Sequence, residues 1–179
     1  MLNRISPITS NIRLRLAEEN DAAFILSLRI DPNKNKYLSN VGADVDKQRE
    51  WLRAYKQREQ QGQEYYFVIE DAHGLCVGVV RMYDFQDHSF CWGSWILSAQ
   101  APLTAAIESA LWVYEIGFFT LSFAGAHFDV RKDNVKVNQF HRRFGAVQTR
   151  EDELNYYYNL SKDQYLLTRQ KYRKFLLSY

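Results

Sequence analysis

The chain has 179 residues, of which 46% are hydrophobic and 15% aromatic, and this is enough for one domain with a sizeable core. The formal net charge of +2 gives no broad basic field, so we expect neither nucleic acid nor an anionic membrane surface as a partner. No apolar run approaches the roughly 20 residues that span a bilayer, which excludes a membrane-spanning role.

The chemistry-bearing residue types exclude two further kinds of site. The four histidines are scattered and no Cys-x-x-Cys occurs, so the sequence predicts no zinc site. No Gly-x-Ser-x-Gly turn occurs, so the sequence predicts no Ser-His-Asp nucleophile. Cys76 and Cys91 lie in strand-like segments and no signal peptide precedes them, so we expect reduced thiols in a cytoplasmic protein.

The first half of the chain predicts four strands and two helices. After an aperiodic leader at residues 1–10, alternation predicts strands at Ile12–Leu16 and at residues 65–70, 75–85 and 89–98, the middle two joined by a hairpin at residues 73–74. Helices are predicted over residues 18–29 and 46–60, with a loop around Pro32 between them and Gly62 closing the second.

The second half alternates helix and strand. A turn at residues 99–102 leads to a helix over 103–119, a strand over 126–130 and a helix from about residue 134 that Gly145 ends. A strand over 153–160 and a terminal helix over 161–178, capped by Ser161 or Asp163, complete the order. We therefore expect a single α/β (α+β) domain over residues 1–179, with a central mixed sheet and helices on both faces.

One segment carries a recognisable spacing. It reads Phe128-Asp129-Val130, then Asn134, Phe140-His141 and Arg143-Phe144-Gly145-Ala146, with Val137, Phe140 and Phe144 on one helical face. This spacing resembles the GNAT superfamily of acetyl-CoA-dependent N-acetyltransferases. Asp129 stands where many members carry Glu, His141 where many carry Tyr, and Ala146 replaces the usual closing Phe.

The resemblance implies a mostly antiparallel sheet and acetyl-CoA as cosubstrate. Residues Ile96, Leu97 and Ser98 would hold the pantetheine arm through their backbone, and Asn134 would contact the cofactor or simply cap its helix. The helix start after Pro102 offers free N–H donors for the pyrophosphate, with Gln100, Leu103, Thr104 and Ala105 at the family positions. Leu103 stands where the family has its first Gly.

The resemblance also assigns the acid and the base. Asp129 would take the proton from the acceptor ammonium, and His141 would protonate the departing thiolate. A structural carboxylate beside Arg131 and a histidine at the edge of the core are the plain alternatives. Other bases on or beside the strands that would face the acceptor are Glu70, Asp84, Asp87 and His88.

A second, weaker resemblance concerns the acceptor. Leu28-Arg29, Pro32, Tyr37-Leu38, Trp51-Leu52 and Tyr55-Lys56 are similar to the GNAT branch that acetylates nucleotide-linked amino sugars. A small-molecule amine is thus the expected partner, with Arg29, Tyr37, Tyr83 and Trp92 as substrate-binding residues and Lys34, Lys36 and Arg81 as further cations. Acetylation of a protein N-terminus, as in the ribosomal-protein branch, and a non-catalytic CoA-binding or interaction domain are the alternatives, and a homodimer is left open.

Overall fold

The computed structural model describes residues 6–37 and 41–177. The first half of the predicted leader, the loop residues Leu38, Ser39 and Asn40, and the predicted helix end at Ser178 lie outside the described residues.

A seven-stranded sheet forms the centre of the protein. Its strands are β1 (Ile12–Leu16), β2 (Tyr65–Asp71), β3 (Cys76–Tyr83), β4 (Ser89–Leu97), β5 (Gly125–Arg131), β6 (Val147–Glu151) and β7 (Asn155–Ser161). They follow the order β1-β2-β3-β4-β5-β7-β6, and among the residues that the structure describes β4 with β5 is the one parallel pair of neighbours, the others being antiparallel. The expected mixed, mostly antiparallel sheet is confirmed.

Five α-helices flank the sheet: α1 (Ala22–Ile30), α2 (Val45–Gln60), α3 (Ala105–Glu115), α4 (Val135–Arg143) and α5 (Lys162–Lys171). A 3-10 turn at Glu19–Asp21 starts the first helical segment, and a π-helical turn at Ile116–Thr120 continues α3. None of the helices in the described part of the chain is long and apolar enough to cross a bilayer.

Two expectations about elements are wrong. The terminal helix ends at Lys171 rather than near residue 178, and a short 3-10 turn follows it. Strand β6 was not predicted, because all five of its residues are exposed and the sequence Val-Gln-Thr-Arg-Glu therefore shows no alternation. Ser161 caps α5 as predicted, since its side chain accepts the Gln164 N–H at 3.2 Å.

Two apolar cores lie on opposite faces of the sheet. The smaller one joins α1 and α2 to β2 and β3 through residues such as Ile25, Leu52 and Val68. The larger one lies between the sheet and helices α3 and α5, with Trp112 and Tyr165 buried at its centre. The helices on the two faces thus fix the plane of β4 and β5, the strands that frame the candidate site.

Candidate active site

The site is a gap between β4 and β5. These parallel strands pair only at their first residues, Ser89 with Gly125 and Phe90 with Ala126. Beyond this point the sheet opens, because β4 turns through a bulge. The register with β3 shifts between the Arg81–Gly93 and Val79–Ile96 pairs, and Ser94 takes a positive φ of 46°.

Asp129 lies on β5 beside this gap. It is exposed, whereas Phe128 and Val130 on either side of it are buried, so its carboxylate points to the opposite face from theirs. Within the described ranges, no hydrogen bond or ion pair engages this carboxylate, so the predicted alternative of pairing with Arg131 is not found. Asp129 is therefore placed to accept a proton.

Tyr83 lies beside Asp129 on the same face of the sheet. Burial raises the pKa of its phenol, and the negative charge of Asp129 adds to the rise. Burial likewise raises the pKa of the Cys91 thiol to about 11, with the same carboxylate contributing. The phenol oxygen lies over Gly93, where an added Cβ would come within 3.0 Å of it. Tyr83 and Cys91 are thus uncharged hydrogen-bonding groups at neutral pH.

His141 lies within the gap on the other face. Its ring is 4.2 Å from the ring of Phe128 on β5 and 5.2 Å from that of Trp92 on β4, measured between centroids. The residue is 4% exposed, and burial lowers its pKa to about 3. Its Nδ1 has no hydrogen-bond partner among the described residues. At neutral pH the ring is therefore uncharged and offers at most one N–H to a ligand, not an imidazolium proton.

Trp92 was expected to offer a flat face to the acceptor, but the structure makes it a core residue. It is 4% exposed, and its indole N–H donates to the Tyr114 hydroxyl at 3.2 Å. Phe90 and Trp92 lie on the face of β4 that packs against α3, whereas Cys91 lies on the other face. The Trp92 ring therefore contacts His141 and not the face on which Asp129 lies.

The predicted pyrophosphate turn runs from Ser98 to Ala105. No described residue of this turn has a positive φ, so the glycines of the family pattern are not required by the backbone here. The side chain of Leu103 is fully exposed and leaves the backbone accessible. Thr104 occupies the N-cap of α3 without a side-chain capping bond, so the helix retains N–H groups for an anion.

The end of β4 carries the predicted pantetheine residues. Ser98 N–H pairs with Val77 on β3 at 2.8 Å, and the side chain of Ile96 is buried under α1 and α2. The carbonyl of Leu97 accepts a bond from Lys34 Nζ at 2.6 Å. One of the two lone pairs of this carbonyl is therefore already engaged, and the other is left for a ligand amide.

The start of α4 connects the gap to the loop after α1. Asn134 is the N-cap residue of α4, as predicted, but its side chain makes no capping bond. The hydroxyl of Tyr37 donates to the carbonyl of Asp133 at 3.0 Å. Asn138, which the sequence analysis missed, is buried and ties the helix to β5 and β7: its amide donates to the Arg131 carbonyl, and its oxygen accepts from the Tyr158 hydroxyl.

A cationic cavity of about 360 Å³ opens beside the β4 bulge. Its wall includes Arg29 at the end of α1, Lys47 and Trp51 on α2, Arg81 on β3 and Ser94 at the bulge itself. The guanidinium of Arg81 lies 5.3 Å from the Trp51 ring and is also paired with Glu64, Nε to Oε2, at 2.6 Å. The structure thus brings the predicted residues Arg29 and Arg81 together with Lys47 and the ring of Trp51 around one cavity.

Two of the alternative bases are already engaged by other side chains. Glu70 is engaged by Arg15 at 2.6 Å, which occupies its carboxylate. Asp84 is bound to His127 at 3.0 Å, and His127 in turn contacts Ser89. The sequence analysis did not anticipate this Ser89–His127–Asp84 array, because its members come from three separate segments that only the sheet brings together.

The open parallel pair, the bulged strand and the helix start at its end define the protein as an acyltransferase. The sequence model of one family, described as Acetyltransferase (GNAT) domain, matches residues 11–147. The chain therefore belongs to the GNAT acetyltransferases, as the spacing around Asp129 and His141 predicted.

Solved structures agree with this assignment. FdhC in its apo form, a nucleotide-linked sugar GNAT, is 46% identical over 95% of this chain and 97% of that chain, with a TM-score of 0.89. Spermidine N-acetyltransferase SpeG from Vibrio cholerae, in complex with CoA and spermine, has the same fold at 20% identity, covering 88% of this chain and 99% of that one, with a TM-score of 0.76. A dodecameric structure of the Vibrio cholerae enzyme is 19% identical over 88% and 97% of the two chains, with a TM-score of 0.72. A comparison with curated protein sequences gives no match.

Proposed function

We propose that the protein transfers the acetyl group of acetyl-CoA to the primary amine of a nucleotide-linked amino sugar. The observation that carries this proposal is the 46% identity to FdhC, a nucleotide-linked sugar GNAT, over nearly the full length of both chains. The 20% identity to the spermidine enzyme supports the fold alone.

The cationic cavity supports the acceptor class. A nucleotide diphosphate carries negative charge and a flat base, and guanidinium, ammonium and indole groups recognise these two features. Arg29, Lys47 and Arg81 place three positive charges around the cavity against the one carboxylate of Asp44 in its lining, and Trp51 supplies an aromatic face. This excess of positive charge supports a phosphorylated acceptor over a polyamine.

The end of β4 and the start of α3 support the cosubstrate. When bound, acetyl-CoA supplies the acetyl thioester. The free N–H groups after Thr104 would hold its pyrophosphate, with Gln100, Leu103 and Ala105 forming the turn. The backbone of Ile96, Leu97 and Ser98 would hold the pantetheine arm, and Asn134 would lie at its other side.

The chemistry we propose uses Asp129 as the base. Its carboxylate accepts a proton from the acceptor ammonium, directly or through water, and the free amine then attacks the thioester carbonyl. The new C–N bond forms, the C–S bond breaks, the nitrogen releases its second proton to the departing sulfur directly or through water, and CoA leaves as the thiol. His141 would face the sulfur as a neutral ring, so its contribution is an N–H hydrogen bond or positioning rather than transfer of an imidazolium proton.

The test is a thiol-release assay with acetyl-CoA across nucleotide-linked amino sugars, the same amino sugars without the nucleotide, and N-terminal peptides. We expect turnover of at least one nucleotide-linked 3-amino or 4-amino sugar, weaker turnover of its nucleotide-free counterpart, and little with peptides. Peptide turnover above that of every amino sugar would replace the proposal with N-terminal acetylation. Equal turnover with and without the nucleotide would contradict the role of the cationic cavity.

A further inference from the structure

The imidazole of His127 is held at both nitrogens. Nδ1 lies 2.8 Å from the Ser89 hydroxyl, and Nε2 lies 3.0 Å from a carboxylate oxygen of Asp84. The side-chain amide of Gln86 is 3.3 Å from both His127 and Asp84. A carboxylate accepts hydrogen bonds, so Asp84 accepts from Nε2–H, and the Ser89 hydroxyl is hydrogen-bonded to Nδ1. The Ser89 oxygen keeps at least one lone pair available to a ligand.

Ser89, His127 and Gln86 line a cavity of about 280 Å³ at the start of β4 and β5, and Asp84 lies behind His127. The polar residues around the cavity are Gln86, Ser89, His127, Asn159 and Ser161. All are amides, hydroxyls or an imidazole, and among the described residues that line it there is no Lys or Arg. Groups that both donate and accept match the hydroxyls of a sugar ring, whereas a phosphate would require cations.

The array lies on the same face of the sheet as the proposed base. His127 and Asp129 are alternate residues of β5, and the intervening Phe128 is buried on the other face. Successive side chains on one face of a strand are roughly 7 Å apart, which is about the width of a sugar ring. A ring whose amine reaches Asp129 would therefore place another substituent at His127.

The backbone is strained at one residue of this arrangement. Asp84 has a positive φ of 50°, a conformation that a non-glycine residue rarely adopts. In this conformation it follows β3 directly and presents its carboxylate to β5 across the start of β4. The backbone at Asp84 and strands β4 and β5 thus bring the side chains of Asp84, Gln86, Ser89 and His127 together into one polar surface.

We propose that the Ser89–His127–Asp84 array is an acceptor subsite that binds a ring hydroxyl of the amino sugar. This inference rests on the proposed function, because it assigns a further part of the same acceptor. It gives the array a role in specificity: the Ser89 oxygen touches the hydroxyl, His127 holds the Ser89 hydroxyl in place, and Asp84 orients the ring of His127.

The test compares the steady-state kinetics of His127→Phe and Ser89→Ala with those of the wild type, using a nucleotide-linked amino sugar that the wild type acetylates. We expect the KM for the acceptor to rise about tenfold in Ser89→Ala, which removes the contacting oxygen, and roughly threefold in His127→Phe, which removes its support, with kcat and the KM for acetyl-CoA within a factor of about two. His73→Phe is the matched control, because His73 is exposed in the β2–β3 turn; it should keep wild-type values.

Deoxy analogues of the acceptor sharpen the test. The analogue that lacks the bound hydroxyl should bind the wild type more weakly than the full acceptor does, whereas Ser89→Ala should bind the two equally, since the partner of the hydroxyl is absent in this variant. Thermal unfolding checks that each variant is folded. If His127→Phe does not fold, the kinetics of Ser89→Ala alone test the subsite.

Several outcomes would overturn the subsite. They are an unchanged acceptor KM in the folded variants, a fall in kcat alone, and an acetyl adduct on Ser89 in the mass of the protein after incubation with acetyl-CoA. A wild type that acetylates no nucleotide-linked amino sugar would overturn the proposed function and the subsite together. Wild-type turnover with unaffected variants would overturn the subsite alone.

Discussion

Replacing His141 by Phe should make the protein less sensitive to acid. The ring of His141 is buried among Phe128, Trp92 and Phe140, and its pKa falls to about 3 because burial disfavours the charged form. In the unfolded chain the same ring has a pKa of about 6.5. Between these two values the unfolded chain binds a proton that the folded chain does not, so stability is full above pH 6.5 and falls as the pH is lowered toward 3.

The magnitude follows from the two pKa values. Lowering the pH from 7 to 5 costs the wild type about 2 kcal/mol of unfolding free energy through this one residue. A phenyl ring fills a similar volume among aromatic neighbours and carries no buried nitrogen without a partner, so His141→Phe should be about as stable as the wild type at pH 7. The variant should then lose about 2 kcal/mol less than the wild type at pH 5.

Urea unfolding at pH 7 and pH 5, followed by tryptophan fluorescence, measures the difference. Other titrating groups affect both proteins equally, so the comparison isolates His141. His73→Phe removes an exposed imidazole and should retain the acid sensitivity of the wild type. The reasoning would be refuted if the wild type and His141→Phe lost the same free energy between the two pH values, because His141 would then carry a proton in the folded protein.

Two further predictions concern catalysis and cosubstrate binding. Asp129→Asn should lower kcat by roughly 10²-fold at neutral pH, and the deficit should shrink as the pH rises and the amine loses its proton unaided. A pH–rate profile with Glu153→Gln as the exposed control tests this, and wild-type rates throughout would make Asp129 structural. Thr104→Glu should weaken acetyl-CoA binding by about tenfold through repulsion of the pyrophosphate, whereas Thr104→Gln should not. Calorimetry that gives equal affinities for the two variants would remove the pyrophosphate from this helix start.

Periodicity predicted most of the fold because most elements bury one face. Strands β2 to β5 and helices α2 to α4 all appear within a few residues of their predicted positions. Strand β6 carries no such signal, since it is an edge strand exposed throughout. The bulge at Ser94 could not be predicted either, because serine rarely adopts a positive φ and nothing in the local sequence demands it.

The sequence indicated candidate residues for the site but not the charge or burial of their side chains. The helical spacing that placed Val137 and Phe144 on one face of α4 also includes residue 141, so the burial of His141 was accessible from the same pattern. The loss of charge on His141 could not be predicted, because the burial that causes it depends on Phe128 and Trp92, which come from two different strands. The Ser89–His127–Asp84 array is likewise a product of tertiary structure.

The two faces of the opened sheet explain why the proposed base and His141 need not share one environment. Asp129 is exposed, so an ammonium can reach it without losing its hydration and can pass its proton on to water. His141 packs on the buried side of Phe128, where a charged imidazolium would be costly but a neutral N–H is not. In acyl transfer from a thioester, the proton leaves the amine nitrogen and the developing charge sits on sulfur, at the opposite end of the reacting group. If the two residues act as proposed, the proton acceptor would lie on the solvent-exposed side of the gap and the leaving group on its buried side. The alternation along β5 and the helical face of α4 together give the two sides this difference in exposure.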